Sequence, residues 1–231
     1  MQYPGLPEAM TKLAGTTPDR AAPVLGSIAL EALRHATLHT SPFPYVIVPH
    51  FVRPSAQDAI TADFPAIAHP GSFPLSTLTY GAAFGRFMKD LESAELTSCV
   101  SEKFGTDLSH SPTMITVRGQ SKAADGKIHT DSRSKLFTAL IYMNDAWESA
   151  KGRLRLLSSP TDLNAVVAEV PPDQGTLLLF ENVPTAWHGF EPISGPRRVI
   201  QLNWVTGEDV VRYEQRRHRI SAFFKRLSGR R

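Results

Sequence analysis

The sequence has one cysteine, Cys99, in 231 residues. That excludes an intrachain disulfide framework and suits a reducing, cytoplasmic setting. Long apolar runs are missing too. Stretches such as 176–180 and 199–205, the latter broken by Gln201 and Asn203, fall far short of the ~20 residues of a membrane span. The opening Met1-Gln2-Tyr3-Pro4-Gly5 lacks a charged stretch followed by an apolar one, so no secretory signal is expected. Net charge is also low, at +3. From 207 to 231 eight Lys/Arg stand against three Asp/Glu, a local +5 that leaves the rest of the chain at about −2. A body of that charge calls for no nucleic-acid partner.

What is present is an ordinary globular composition, 42% apolar and 20% charged, enough to build one sizeable core. Residues 1–25 read as an extended arm, 26–206 as a single domain and 207–231 as a basic C-terminal helix. Ser27 is placed to cap a helix running to about residue 38. A strand over 42–48 is entered through prolines, and Pro54-Ser55 opens a helix over 56–64. The Pro/Gly/Ser-rich stretch 65–85 reads as a loop, and a long helix over 87–104 stops at Gly105. From Pro112 the pattern changes. Short β-branched and aromatic segments at 114–118, 127–131, 136–144, 153–157, 166–170, 176–181, 186–193 and 198–206 are separated by glycine, proline and serine turns. Strands this closely spaced, with no helices between them, predict an antiparallel sandwich or barrel. In the terminal helix Ile220, Phe223, Phe224 and Leu227 form an apolar stripe flanked by arginines and lysines. It either packs on its own sheet or lies on an anionic membrane surface or a partner.

His129 and Asp131 carry the chemistry. Two apart on an extended segment, they point to one side. His188, facing the same point from a neighbouring strand, would complete a set of two histidines and one carboxylate. Such a set leaves three positions of an octahedral ion open, which suits a non-haem Fe(II) oxygenase. One His-x-Asp among eight histidines is weak alone; its strand context, His188 and the arginines Arg197 and Arg198 add the weight. His35, His39, His50, His69, His110 and His218 have no partner at ligand spacing.

Taken together, His129-Thr130-Asp131, Leu140-Ile141-Tyr142-Met143-Asn144 with Trp147, Gly152-Arg153-Leu154-Arg155-Leu156, and His188-Gly189-Phe190-Glu191-Pro192 with the arginine pair resemble the 2-oxoglutarate/Fe(II)-dependent dioxygenases, in their prolyl-4-hydroxylase-like branch. The resemblance spans roughly 112–205. It implies a mainly β (α+β) fold, a double-stranded β-helix (jelly-roll, cupin-like) core with N-terminal supporting helices and a C-terminal helix. His129, Asp131 and His188 would bind Fe(II), with 2-oxoglutarate and O2 as co-substrates. The distal carboxylate of 2-oxoglutarate would need an arginine fork. Arg198 is favoured over its alternative Arg197, because Arg198, Ile200, Leu202 and Trp204 form the more apolar strand face, expected to point into the barrel. The family also often has an aromatic six residues beyond its arginine, where Trp204 stands. Tyr142 matches a family tyrosine that hydrogen-bonds the same carboxylate, and Thr138, on the same face, would add a hydroxyl. A tyrosine that many relatives carry before the His-x-Asp is missing, and Lys151-Gly152 replaces a glycine pair. Both departures bear on the substrate-side wall. The implied activity is hydroxylation of a small-molecule, peptidyl or glycan substrate, with succinate and CO2 as co-products. Loops 77–85 and 119–126 are the expected lids. The alternatives are a catalytically inactive cupin-like metal or small-molecule binding module, and a structural β-domain.

Overall fold

The computed structural model describes residues 26–213. The arm expected over 1–25 and the apolar stripe of the terminal helix lie outside them; the chain is helical at 208–213.

Two antiparallel sheets form the core. The larger contains, in spatial order, β1 (Tyr45–Val48), β7 (Leu177–Glu181), β4 (Lys135–Tyr142), β9 (Gly195–Val205), β3 (Thr113–Ser121) and β2 (Phe73–Pro74). The smaller has the order β6 (Val166–Val170), β5 (Leu154–Leu157), β8 (His188–Gly189). Period-2 alternation decides what each face of the larger sheet meets. Phe137, Ala139 and Ile141 of β4 and Ile200, Leu202 and Trp204 of β9 pack against helices α1 (Leu30–His35), α2 (Pro54–Ala62), α3 (Ala82–Leu91) and α4 (Ala94–Phe104), through Leu33, Ile60, Phe84, Phe87 and Leu96. The opposite face turns Tyr142, Leu178, Phe180 and Val199 toward Leu154, Leu156 and Val170 of the smaller sheet. β7 therefore reads Leu-Leu-Leu-Phe without alternation, because both of its faces are covered.

Several expected boundaries move, each for a visible reason. The helix foreseen over 87–104 is two helices, since the Ser93 hydroxyl accepts from Leu96 N at 3.2 Å and starts α4 afresh. Gly105 ends α4 in the left-handed region, φ 68°, as its position foretold. Ser27 caps nothing: α1 begins after Ala29, and Ser27 N instead donates to Asp90 Oδ2 at 3.0 Å. The stretch 65–85 is not all loop, since it holds β2 and a 3-10 turn, Leu75–Thr77. The strand expected over 186–193 shrinks to β8, and 127–131 forms no regular ladder.

Candidate metal centre and co-substrate pocket

Between the sheets lies a cavity of about 330 Å³. One wall is the segment that carries His129. Gly126 sits at φ 92°, and a Cβ there would stand 2.3 Å from Phe190 O, so only glycine lets the two backbones close up. Phe190 N donates to Gly126 O at 2.9 Å. Further along, His129 N donates to His188 O and His188 N to His129 O, each at 3.0 Å. The two histidines thus form a mutual backbone pair, an isolated bridge in place of the expected strand.

Each imidazole is oriented the same way. His129 Nδ1 lies 2.9 Å from Lys127 O, and His188 Nδ1 lies 2.9 Å from Ala186 O. A carbonyl only accepts, so both Nδ1 atoms carry a proton and Nε2 is the ligand atom that each ring can offer. Ligand atoms of His129, Asp131 and His188 all lie within 4.8 Å of one another. Burial, and after it His129, lowers the His188 pKa to about 4, so this imidazole is neutral at pH 7. Burial opposes charge on Asp131 as well, but Lys135, His188 and Thr138 outweigh it and hold the carboxylate below its usual range. Lys135 Nζ reaches Asp131 Oδ1 at 3.2 Å, and Thr138 Oγ1 donates to Oδ2 at 2.5 Å. Thr138 Oγ1 in turn accepts from Asn203 Nδ2 at 2.8 Å. Thr138 lines the cavity, with its hydroxyl engaged by Asp131 and Asn203. Two imidazoles and one carboxylate fit a divalent ion such as Fe(II).

The arginine preference is also reversed. Arg197, Val199 and Gln201 line the cavity, whereas Arg198 faces the helices, its guanidinium 5.5 Å from the Phe64 ring centroid. The more apolar face of β9 is the helix-facing one, and Trp204 lies on it, donating to Thr97 Oγ1 at 3.1 Å. Arg197 is only 6% exposed. Its Nε donates to Gly152 O at 3.0 Å, and its guanidinium packs 4.4 Å from the Phe190 ring centroid and 5.5 Å from that of Tyr142. No carboxylate among the described residues pairs with it. Tyr142 Oη is fully buried and makes no well-formed hydrogen bond; burial raises its pKa while the nearby Arg197 charge works the other way. A buried cation beside an orphaned hydroxyl is half of a site for an anion, and a dicarboxylate reaching from the metal fits it.

Sequence reasoning missed Asn203, Lys135 and the stacking role of Phe190. Asn203 had a signal: a polar residue on the alternation face shared with Arg197. Of the two expected lids, Ala124, Asp125 and Gly126 border the cavity, and no residue of 77–85 does.

The fold is a double-stranded β-helix, and the cluster within it is a candidate metal site. Residues 118–206 match the family model of the 2OG-Fe(II) oxygenase superfamily, a stretch that spans most of the β-core and contains His129, Asp131, His188 and Arg197. No curated protein sequence matches the chain. Among solved structures it is similar to a Pseudomonas putida prolyl-4-hydroxylase, at 15% identity over 76% of this chain and 90% of that one, TM-score 0.54. A prolyl 4-hydroxylase from Phytophthora capsici is similar at 16% identity and TM-score 0.52, over 81% of this chain and 65% of that one. At such identities the likeness concerns the fold.

Proposed function

We propose that this chain hydroxylates an unactivated C–H bond of its substrate, consuming 2-oxoglutarate and O2 and releasing succinate and CO2. Arg197 carries the reading: a buried guanidinium with no acidic partner among the described residues, in the same cavity as the His129, Asp131 and His188 cluster. A module that only held a metal would have no use for it.

When bound, Fe(II) supplies an oxygen chemistry that no side chain possesses. His129 Nε2, His188 Nε2 and an Asp131 oxygen would hold it. The carbonyls of Lys127 and Ala186 fix the two rings, while Lys135 and Thr138 fix the carboxylate. Arg197 and Tyr142 would grip the distal carboxylate of 2-oxoglutarate, leaving its keto acid end for the metal. Leu140, Leu154, Phe190 and Val199 give the cavity an apolar lining that limits water. His129 is the exposed ligand and His188 the buried one, so substrate reaches the site from the His129 side.

Anaerobic addition of Fe(II) and 2-oxoglutarate should give a weak visible charge-transfer band, lost in His129→Ala and Asp131→Ala. Folded protein that shows no band and forms no succinate in air would overturn the reading.

A further inference from the structure

Charge in the cavity is unbalanced in a way the co-substrate does not cancel. Arg118, Lys127, Lys135 and Arg197 line it against Asp125 and Asp131. Lys135 is matched to Asp131. Fe(II) and the dianionic co-substrate together add no net charge. Summed over its lining, the loaded cavity therefore keeps two positive charges. Asp125 is itself engaged in its own turn, accepting from Lys122 N at 3.1 Å.

Arg118 is the informative member. It sits on β3 opposite Val199, on the cavity side of the sheet and one strand across from Arg197. Its guanidinium makes no ion pair or hydrogen bond among the described residues. It is also close enough for its charge to disfavour that of Arg197. Two unpaired guanidiniums in one half-buried cavity repel, and each needs an anion. The distal carboxylate of 2-oxoglutarate supplies one. We propose that the substrate supplies the other: it carries an anionic group, a carboxylate or a phosphate monoester, that docks on Arg118 beside the metal site. This rests on the oxygenase reading above. A planar fork of donors suits either oxyanion, and a neutral substrate face would leave it desolvated and unpaired.

The test uses the Co(II)-loaded full chain saturated with 2-oxoglutarate, titrated by calorimetry with acetate and, separately, with methyl phosphate. At least one anion should bind saturably in the millimolar range, and which one identifies the group. Arg118→Gln should weaken that binding at least tenfold, Arg118→Lys less, and Arg198→Ala, on the far face, not at all. Thermal melting of each variant checks that it folds. If neither anion binds, or Arg118→Gln binds as the wild type does, the inference is overturned. It is equally overturned if Arg118→Gln raises the 2-oxoglutarate requirement instead, since Arg118 would then belong to the co-substrate clamp. Uptake of 2-oxoglutarate by the wild type is measured first, and its failure would count against the oxygenase reading. The anion titrations are then repeated without 2-oxoglutarate. There, a tenfold loss in Arg118→Gln still supports an anion site at this arginine, and equal binding still overturns it.

Discussion

Arg197 and Arg198 are chemically identical neighbours with opposite fates. One strand parity puts Arg197 under Phe190 in the cavity, and the other puts Arg198 over Phe64 among the helices. Truncating one partner of a buried charge pair costs roughly 2–5 kcal/mol. Arg197→Ala should therefore raise the 2-oxoglutarate concentration for half-maximal succinate formation by about thirtyfold or more, and Arg198→Ala should leave it within about twofold. Steady-state titration of both variants checks this. Thr138 acts differently, through the carboxylate it holds. Removing such a supporting hydrogen bond typically costs about 10–100-fold in metal affinity. Thr138→Val should lose about that much Mn(II) affinity by calorimetry, and Thr138→Ser, which keeps the hydroxyl, should recover most of it.

At the scale of elements, the segment from Gly126 to Asp131 is held by backbone contacts with β8 and Phe190, not by a regular ladder. Gly126→Ala adds a methyl against Phe190 O and forces a strained φ, at a cost of about 1–3 kcal/mol. It should lower the melting temperature and weaken metal binding together, because His129 lies three residues along the same segment. Unchanged metal affinity in a destabilised variant would detach the turn from the site. These contacts also mark the limit of what the sequence discloses. Strands β3 to β7 and β9 announced themselves through β-branched and aromatic segments between turn residues, and His-x-Asp with His188 announced the ligands. The choice between arginines did not follow, because apolarity identifies a buried face without saying which neighbour buries it. On β9 the helices take the apolar side, and the cavity takes the more polar one with Arg197 and Gln201. The break between α3 and α4 was hidden for a related reason: Ser93 lies inside a continuous helical pattern, and its capping role appears only once its hydroxyl meets Leu96 N.

For the whole molecule, the site joins two parts of the chain that the sequence keeps far apart. Ligands that bind only the folded state stabilise it by mass action, about 2.7 kcal/mol at a hundred times Kd. For a domain of this size that is roughly 5–10 °C in melting temperature. Mn(II) with 2-oxoglutarate should produce such a shift under anaerobic conditions, and chelation should reverse it. In Arg197→Ala the metal share should persist and the 2-oxoglutarate share should vanish, so differential scanning would separate the two halves of the pocket.

The mutual backbone pair of His129 and His188 has a kinetic side as well. The loop between them is closed by amide hydrogen bonds that involve no metal ligand atom, so capture of a metal does not also have to draw distant segments together against chain entropy. Ions should then enter and leave by exchange of water and side-chain donors alone, and stopped-flow uptake should be a single phase proportional to metal concentration, with no slow rearrangement behind it.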